Sequence, residues 1–382
     1  MRLVRLAQIF EKLIISTGLK KGRLSSTELL ALLKYPGLKK WRNALFNELE
    51  YRLKRTKLSS FPPVINVSTS TSCNLKCTYC PTGQGIKQGR ADKFISLGLV
   101  KKAMDEMGDY LVLARLYTYG EPLLVKALPE IVAEAHRKRV YTLISSNMNY
   151  FNLDLARRTL AAGLDHIIVA IDGATAETYR KYRVNGDFNK VVENTKKLIE
   201  LKREMKRDDL VIEWQFVPFK FNEHEVEAAR ALSEELGCDL FSIYPAFVED
   251  EKDLPENKNY NVGIGAITRV IKCNRPWTNF VLQTDGGVGT CAHSLKKEDD
   301  LDDYSRSTFK EIWQEGKAMT YIRKRLTGEE KIARHETICE KYCFNRDGFK
   351  SKEQRVDNDV DGSRRTVSVM VKKTPVKTSA VS

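Results

Sequence analysis

The feature that most constrains the fold is a regular alternation of apolar, β-branched segments with amphipathic segments between residues 64 and 244. Six segments have the composition of strands, at residues 64–68, 111–118, 140–145, 166–171, 211–218 and 240–244. Five segments between them have helical periodicity, at residues 97–107, 123–138, 153–162, 188–205 and 223–236. Strands that alternate with helices form a parallel sheet covered by helices. Because six units are too few for a closed eight-stranded barrel, we expect an α/β fold with an open, partial (β/α)6 barrel.

The region before this alternation has a different pattern. Residues 1–60 are predicted to form a helical, basic N-terminal extension, and residues 61–245 the barrel itself. Ser25 and Glu28 match the capping box that opens a helix, and Pro36 ends that helix. A further helix is expected from there to about residue 53.

The region after the barrel is expected to be a small α+β domain at residues 246–349. An Asp-Gly-Gly sequence centred on Gly286 separates two short apolar runs, which predicts a β-hairpin. A helix is predicted at residues 308–326. Residues 350–382 are polar and rich in Lys, Asp, Ser and Thr, so we expect a disordered tail.

Composition limits the classes of protein. The sequence contains no run of about 18 apolar residues that could span a membrane, and Glu11 and Lys12 interrupt the apolar N-terminal stretch, so a cytoplasmic location is expected. The net charge of +14 favours an acidic partner, such as an acidic electron donor of the flavodoxin or ferredoxin type. The charge also leaves RNA open as a substrate, although no aromatic and basic nucleic-acid platform is evident and no stable nucleic-acid partner is expected.

The chain has eight cysteines, which in a reducing compartment indicate metal ligation more than disulfides. Cys238 stands alone and is expected to be a core residue. The other seven form an early group and a late group: Cys73, Cys77 and Cys80, then Cys273, Cys291, Cys339 and Cys343.

The early group follows the first predicted strand with the spacing CxxxCxxC. Three closely spaced thiolates can ligate three irons of a [4Fe–4S] cluster and leave the fourth iron open for an amine and a carboxylate, such as those of S-adenosylmethionine (SAM). A structural zinc ion would need a fourth ligand, and neither a His nor another Cys lies near enough in sequence to supply it. A non-enzymatic, zinc-bearing nucleic-acid-binding protein is therefore the weaker reading of these cysteines.

This motif, with Tyr79 before its last cysteine, resembles the radical SAM superfamily. The resemblance implies that Tyr79 lies against the adenine of SAM. It also implies further SAM-binding residues: Gly120, Glu121 and Pro122 at the end of the second strand, Ser145, Ser146 and Asn147 after the third, Asp172 after the fourth and Gln215 on the fifth.

The late group resembles the twitch and SPASM auxiliary-cluster domains, because Cys273, Pro276-Trp277, Asp285-Gly286 and Cys291 match their C-x-x-PW…DG-x-V-x-x-C pattern. A full SPASM domain uses about seven cysteines for two clusters. Four cysteines, Cys273, Cys291, Cys339 and Cys343, therefore imply one further [4Fe–4S] cluster, and two clusters in the chain as a whole.

The resemblance implies an enzyme that cleaves SAM reductively to a 5′-deoxyadenosyl radical, which removes hydrogen from a substrate. Ala292 stands where sulfatase-maturing members place an Asp, and His293 is a speculative acid or base beside it. Residues 1–60 show no strands like those that bind leader peptides in peptide-modifying members. A small-molecule, sugar or carrier-linked substrate is the first choice, and a peptide is the second.

The N-terminal segment has an apolar helical face, Leu3, Leu6, Phe10, Leu13 and Ile14, beside basic residues. Such a helix could lie on an anionic membrane. Glu11 and the modest length of the segment make it less typical of a membrane-surface helix. We therefore expect this face to pack on the rest of the protein instead.

Overall fold

The computed structural model describes residues 25–244, 246, 248, 251–257, 260, 273–291 and 294–329. Within these residues, nine strands form one sheet: β1 (Val64–Val67), β2 (Leu113–Arg115), β3 (Tyr141–Ser146), β4 (His166–Ala170), β5 (Val211–Phe216), β6 (Leu240–Ile243), β7 (Asn279–Leu282), β8 (Gly287–Gly289) and β9 (Asp302–Asp303). Their order is β6-β5-β4-β3-β2-β1-β7-β8-β9. All six predicted barrel strands are present and pair in parallel, and β6 and β9 lie at opposite ends. The prediction of an open, partial barrel is confirmed.

Eleven α-helices lie in the part of the chain that the structure describes: α1 (Ser26–Lys34), α2 (Leu38–Arg52), α3 (Leu97–Met107), α4 (Leu128–Arg137), α5 (Leu153–Ala161), α6 (Ala176–Tyr182), α7 (Phe188–Glu204), α8 (Val226–Leu236), α9 (Arg275–Thr278), α10 (Phe309–Trp313) and α11 (Lys317–Thr327). The capping box of Ser25 and Glu28 opens α1 as predicted, because each side chain binds the other's backbone N–H. None of the described helices is long and apolar enough to cross a bilayer.

One predicted helix differs in the structure, and a helix of the structure was not predicted. The single helix expected at residues 308–326 is two helices, α10 and α11, that meet at Gly316. A Cβ at Gly316 would lie 2.2 Å from the carbonyl oxygen of Ile312, so the chain turns there at a residue without a side chain. Helix α6 was not predicted. Thr175 caps it by accepting the backbone N–H of Thr178.

The two faces of the sheet have different neighbours. Alternate strand residues such as Ile144, Ile167 and Ile212 pack with helices α3, α4 and α7 in the main hydrophobic core. The intervening residues, such as Leu143 and Ile168, face the other side, because successive side chains of a strand point to opposite faces. On this concave face they pack against Leu30, Ala31 and Leu32 of α1. Helix α1 therefore closes one end of the partial barrel.

Helix α1 is fixed there by a partly buried ionic network. Lys34 Nζ lies 2.7 Å from carboxylate oxygens of both Asp165 and Asp209. Tyr35 Oη donates to Asp165 Oδ1 over 2.7 Å. Asp165 precedes β4 and also accepts the backbone N–H of Thr142. The network therefore lies at the N-terminal end of the strands and leaves their C-terminal ends open for chemistry.

The late segment continues the barrel sheet. Strand β7 pairs in parallel with β1, in the register Val64 to Asn279 and Val67 to Leu282. The predicted hairpin around Gly286 is present as β7 and β8, and Gly286 has the positive φ of 89° that such a turn requires. The domain boundary at residue 245 stays a prediction.

Candidate radical SAM site

The early cysteines lie in the loop that leaves the C-terminal end of β1. Cys77 is buried, and Cys73 and Cys80 are partly buried. The loop folds back tightly: a Cβ at Gly83 would lie 2.6 Å from the backbone N of Cys77 and 2.7 Å from its carbonyl oxygen. Only glycine fits at this approach. The CxxxCxxC segment is thus held as a compact turn at the edge where parallel sheets place their chemistry.

Nitrogen donors surround two of the three sulfurs. The backbone N of Leu75 and Nδ2 of Asn147 lie 3.4 Å and 3.6 Å from Cys73 Sγ, and Nη1 of Arg183 lies 3.8 Å from Cys77 Sγ. Burial raises the pKa of the Cys73 thiol to about 11 and also raises that of Cys77, so iron and these donors must stabilise the thiolates together. The donor set fits an iron–sulfur cluster.

The geometry differs from that of a single-ion site. Among the described residues, no group of three or more His, Cys, Asp or Glu side chains converges closely enough to hold one metal ion. In a cubane cluster each thiolate ligates its own iron, so the sulfurs need not meet at a point.

Gly120, Glu121 and Pro122 follow β2 and lie directly beside the cysteine loop. Gly120 is needed for close approach, because a Cβ there would lie 2.0 Å from the carbonyl oxygen of Ser70. The Glu121 backbone N donates to Ser72 O over 2.8 Å. Pro122 begins a 3-10 turn. These contacts join the end of β2 to the loop that carries the first cysteine.

The Glu121 carboxylate is buried and has a positioning role. It accepts backbone N–H groups from Leu123 over 3.0 Å and from Asn147 over 2.9 Å. Burial raises the pKa of Glu121 above its ordinary value, whereas these hydrogen bonds oppose the rise. The Asn147 side chain in turn donates to Asn74 Oδ1 over 3.0 Å as well as to Cys73. Glu121 therefore stabilises the turn after β3 that places the Asn147 side chain beside the cysteine loop.

The last two residues of β3 lie on opposite faces of the sheet. Ser145 lies on the concave face, in line with Leu143, and Gln215 lies on the same face of β5. Ser146 lies on the helix-facing side, where its hydroxyl accepts the backbone N–H of Met148 over 3.0 Å. The structure therefore brings Ser145 and Gln215 to the open barrel, whereas Ser146 holds the backbone turn.

Asp172 follows β4, and its side chain is buried in an ion pair that sequence reasoning missed. Nε of Arg183 lies 2.6 Å from Asp172 Oδ2, and Asp172 Oδ1 accepts the backbone N–H of Val217 over 2.7 Å. Burial lowers the pKa of Arg183, but the Asp172 carboxylate outweighs that effect and holds the pKa well above its ordinary value. A guanidinium that stays charged is thus fixed between Asp172 and Cys77. No local pattern marks Arg183, which follows another Arg and a Lys at the end of α6.

Tyr79 stands in a group of aromatic rings. Its ring centroid lies 5.6 Å from that of Phe219 and 6.3 Å from that of Tyr182, and its hydroxyl donates to Asp253. Phe221 stacks on Phe219 at 5.2 Å. These flat apolar surfaces beside the cysteine loop can accept a planar base and exclude water from it.

The concave face between α1 and the cysteine loop carries charged and hydroxyl side chains. His166 Nε2 lies 2.8 Å from Glu213 Oε2, and Ser242 donates to the same carboxylate. Burial raises the pKa of Glu213, but these partners outweigh it and lower the pKa below its ordinary value. Arg115 lies on the same side of β2 as Leu113, with Glu28 of α1 3.8 Å away. The interior of the barrel is therefore polar where it is not covered by α1.

The late cysteines are described only in part. Cys273 and Cys291 are partly buried, whereas Cys339, Cys343 and His293 lie outside the described residues. The Trp of the Pro-Trp motif anchors the segment: Trp277 Nε1 donates to Arg55 O over 2.7 Å. Tyr119 is partly buried, and burial, followed by the Cys291 and Cys80 thiols, raises its pKa above the ordinary value. The lone Cys238 packs against the main core.

Arg90 clamps the late segment to the early cysteine loop. Its buried guanidinium lies 2.9 Å from Asp285 of the hairpin and 2.8 Å from Asp300, and its Nε donates to Leu295 O over 3.0 Å. The backbone N of Lys297 donates to Gln88 O over 2.8 Å. The conformation of the chain around Cys291 therefore depends on a residue that follows Cys80 by ten positions.

Replacing Arg90 with Met should destabilise the protein by about 3 kcal/mol, because it leaves two buried carboxylates without their main partner. Limited proteolysis should then cut first within residues 285–300, and denaturant unfolding should measure the loss. Arg157→Met removes an exposed pair with Glu204 and should leave both readouts unchanged. Equal stability of the two variants would show that Arg90 is not a clamp.

Comparisons with known proteins agree with this geometry. The family model described as the radical SAM superfamily matches residues 67–208, and that of an iron–sulfur cluster-binding domain, SPASM, matches residues 273–344. A probable GTP 3′,8-cyclase of Methanococcus maripaludis is 29% identical over 136 residues, which are 35% of this chain and 45% of the relative. An Fe-coproporphyrin III synthase of Methanosarcina barkeri is 30% identical over 128 residues, 33% and 31% of the two chains. The chain thus spans less than half the length of these relatives.

Solved structures share the fold at low identity. Streptococcus suis SuiB bound to S-adenosylmethionine is 12% identical with a TM-score of 0.56, and the match covers 84% of this chain and 78% of SuiB. The anSMEcpe structure with bound AdoMet is 14% identical with a TM-score of 0.51, over 80% and 93% of the two chains. The chain therefore contains a radical SAM domain, matched over residues 67–208, and a C-terminal SPASM-type domain, matched over residues 273–344, and the cofactors of these domains are iron–sulfur clusters and S-adenosylmethionine.

Proposed function

We propose that the protein cleaves SAM reductively and uses the product to abstract hydrogen from a small polar substrate. The observation that carries this proposal is the set of three thiols at the C-terminal edge of the sheet, with nitrogen donors of Asn147 and Arg183 directed at two of them. When bound, the cluster and SAM supply an electron and a 5′-deoxyadenosyl radical, which removes hydrogen from a C–H bond.

The residues of the chain bind, orient and shield these groups. Cys73, Cys77 and Cys80 supply three thiolates, and Arg183 offsets the negative charge at Cys77. Tyr79 and its aromatic neighbours offer a surface for the adenine and exclude water. Gly120, the buried Glu121 and Pro122 hold the end of β2 against the loop, which leaves the backbone there available to the amine of SAM.

The late cysteines are proposed to hold an auxiliary [4Fe–4S] cluster through Cys273, Cys291, Cys339 and Cys343. The contacts of Arg90 with Asp285 and Asp300, which hold the segment around Cys291 against the loop that follows Cys80, support electron transfer between the two cysteine groups. The net charge of +14 suits an acidic external donor such as flavodoxin or ferredoxin.

A small, polar substrate is favoured by the interior of the barrel. Helix α1 closes the barrel at the N-terminal ends of the strands. The concave face offers side chains that can bind hydroxyl and charged groups: Arg115, His166, Glu213 and Ser242. The GTP named for the cyclase relatives is one polar small molecule of this kind. A sugar or a carrier-linked group also fits, and the peptide alternative has less support because described residues 25–60 contain helices and no strand that could pair with a leader peptide.

The proposal is tested by SAM cleavage in the reconstituted protein. With dithionite and SAM, wild type should release 5′-deoxyadenosine, measured by liquid chromatography. Cys77→Ala should abolish the release, because the cluster loses one of its three ligands. Cys238→Ala is the matched control and should retain it, since Cys238 packs in the core. The proposal fails if wild type releases none or if Cys77→Ala cleaves SAM as fast as wild type.

A further inference from the structure

Helix α2 (Leu38–Arg52) has the reverse of the usual polarity. The side chains that it buries are polar: Lys40, Asn43, Asn47 and Glu50. Trp41 and Tyr51 are partly buried against the hydrophobic cores, but its other large apolar side chains are exposed: Leu38, Leu45, Phe46, Leu49 and, directly after the helix, Leu53. At 3.6 residues per turn these five fall within an arc of about 100°. They form one continuous stripe along the outside of the molecule, which we call the α2 stripe.

Hydrogen bonds fix this orientation of the helix. Lys40 Nζ donates to Arg139 O over 2.6 Å, and Asn47 Nδ2 donates to Trp277 O over 2.7 Å. Asn43 exchanges two hydrogen bonds with the backbone of Phe61. The Glu50 carboxylate accepts the backbone N–H of Ser59 over 2.8 Å.

Buried polar groups are costly unless they are paired, and all four of these side chains are paired. Rotation of α2 to bury the stripe would break every one of these bonds. The outward direction of the stripe is therefore a property of the folded protein. Leu38 is 84% exposed and Leu45 is 67% exposed, which is unusual for aligned leucines on one helix.

Basic side chains border the stripe. Arg42 lies within it, and Lys39 and Arg52 lie on its two sides, all exposed. Three more exposed basic residues follow the helix: Lys54, Arg55 and Lys57. Of the two acidic residues of α2, Glu50 is buried and Glu48 pairs with Arg52 at 2.6 Å. Residues 1–57 hold fourteen Lys and Arg and four Glu, a net charge of +10 out of the chain's +14.

We propose that the α2 stripe docks on the surface of an anionic lipid bilayer. An apolar stripe bordered by Lys and Arg suits a helix that lies in the headgroup region, with leucines among the acyl chains and cations among the phosphates. A second copy of the chain would bring two sets of these basic residues together, and residues 1–24 are themselves basic, so neither complements the charge of this face. The inference goes beyond the proposed function and does not depend on it.

Flotation with vesicles tests the proposal in the full-length protein. Wild type should float with vesicles of phosphatidylglycerol and phosphatidylcholine, and not with phosphatidylcholine alone. Raising the salt concentration should weaken the binding. The double variant Leu45→Gln/Leu49→Gln should reduce the bound fraction about tenfold, because two apolar anchors are lost.

The matched control is Leu153→Gln, which removes a leucine that is 53% exposed on α5, away from the stripe. It should bind vesicles like wild type. Thermal unfolding of the double variant should match wild type, since the substituted side chains are exposed. The proposal is overturned if wild type ignores the anionic vesicles, if the double variant binds as well as wild type, or if sedimentation shows a wild-type dimer that the double variant dissociates.

Discussion

Replacing Asp172 with Ala is expected to lower the free energy of unfolding by about 3–5 kcal/mol. The variant leaves the guanidinium of Arg183 in the interior without its counter-ion, which lies 2.6 Å away in the native protein. It also leaves the backbone N–H of Val217 without its acceptor. Chemical denaturation of the purified protein, followed by circular dichroism, measures the change.

The control for this prediction is the double variant Asp172→Asn/Arg183→Met. Because it removes both charges together and retains an acceptor for Val217, it should recover most of the stability that Asp172→Ala loses. Its iron content should nevertheless fall, since Cys77 loses the donor that lies 3.8 Å from its sulfur. If Asp172→Ala were as stable as wild type, the buried ion pair would not be part of the scaffold.

Replacing Cys73, Cys77 and Cys80 together with Ala is expected to remove about half of the bound iron. Two cubane clusters require about eight iron atoms in each chain after anaerobic reconstitution, so about four should remain with the late cysteines. Iron and sulfide analysis measures the loss, and Mössbauer spectroscopy identifies the type of cluster that is left.

The complementary variant Cys273→Ala/Cys291→Ala should also lose about half of the iron, but should still release 5′-deoxyadenosine from SAM. Cys238→Ala should keep the full amount. Zinc in place of iron in anaerobically prepared wild type would contradict the assignment of both cysteine groups. Full retention of iron in the triple variant would contradict the assignment of the early group alone.

The barrel could be predicted because its signals are local. Each strand from β1 to β6 lies in a short, mostly apolar segment, and each long helix between them has an apolar face at helical spacing. The helices that were missed or merged had weaker signals. Helix α6 has only seven residues, and the break between α10 and α11 depends on the contact of Gly316 with the preceding turn.

The candidate site was predicted only to the extent that its residues are close in sequence. The cysteine loop and the Gly-Glu-Pro segment follow predicted strands, and parallel strands bring their C-terminal ends to one edge, so their proximity followed from the topology. The different positions of the Ser145 and Ser146 side chains did not follow from the topology, because they depend on which face of β3 each side chain occupies. Two further cysteines of the late group and His293 lie outside the described residues.

The sequence by itself therefore determined the parallel sheet, the edge where chemistry occurs and the identity of the early thiolates. Only the tertiary structure decided three other features: the charged Arg183 beside Cys77, the Arg90 clamp between two segments about 200 residues apart, and the outward stripe of α2. The physical reason is that periodicity shows which side chains share a face, whereas burial depends on the partners that the rest of the chain supplies. In α2 those partners are backbone groups of distant segments, and their hydrogen bonds keep the polar face of the helix buried.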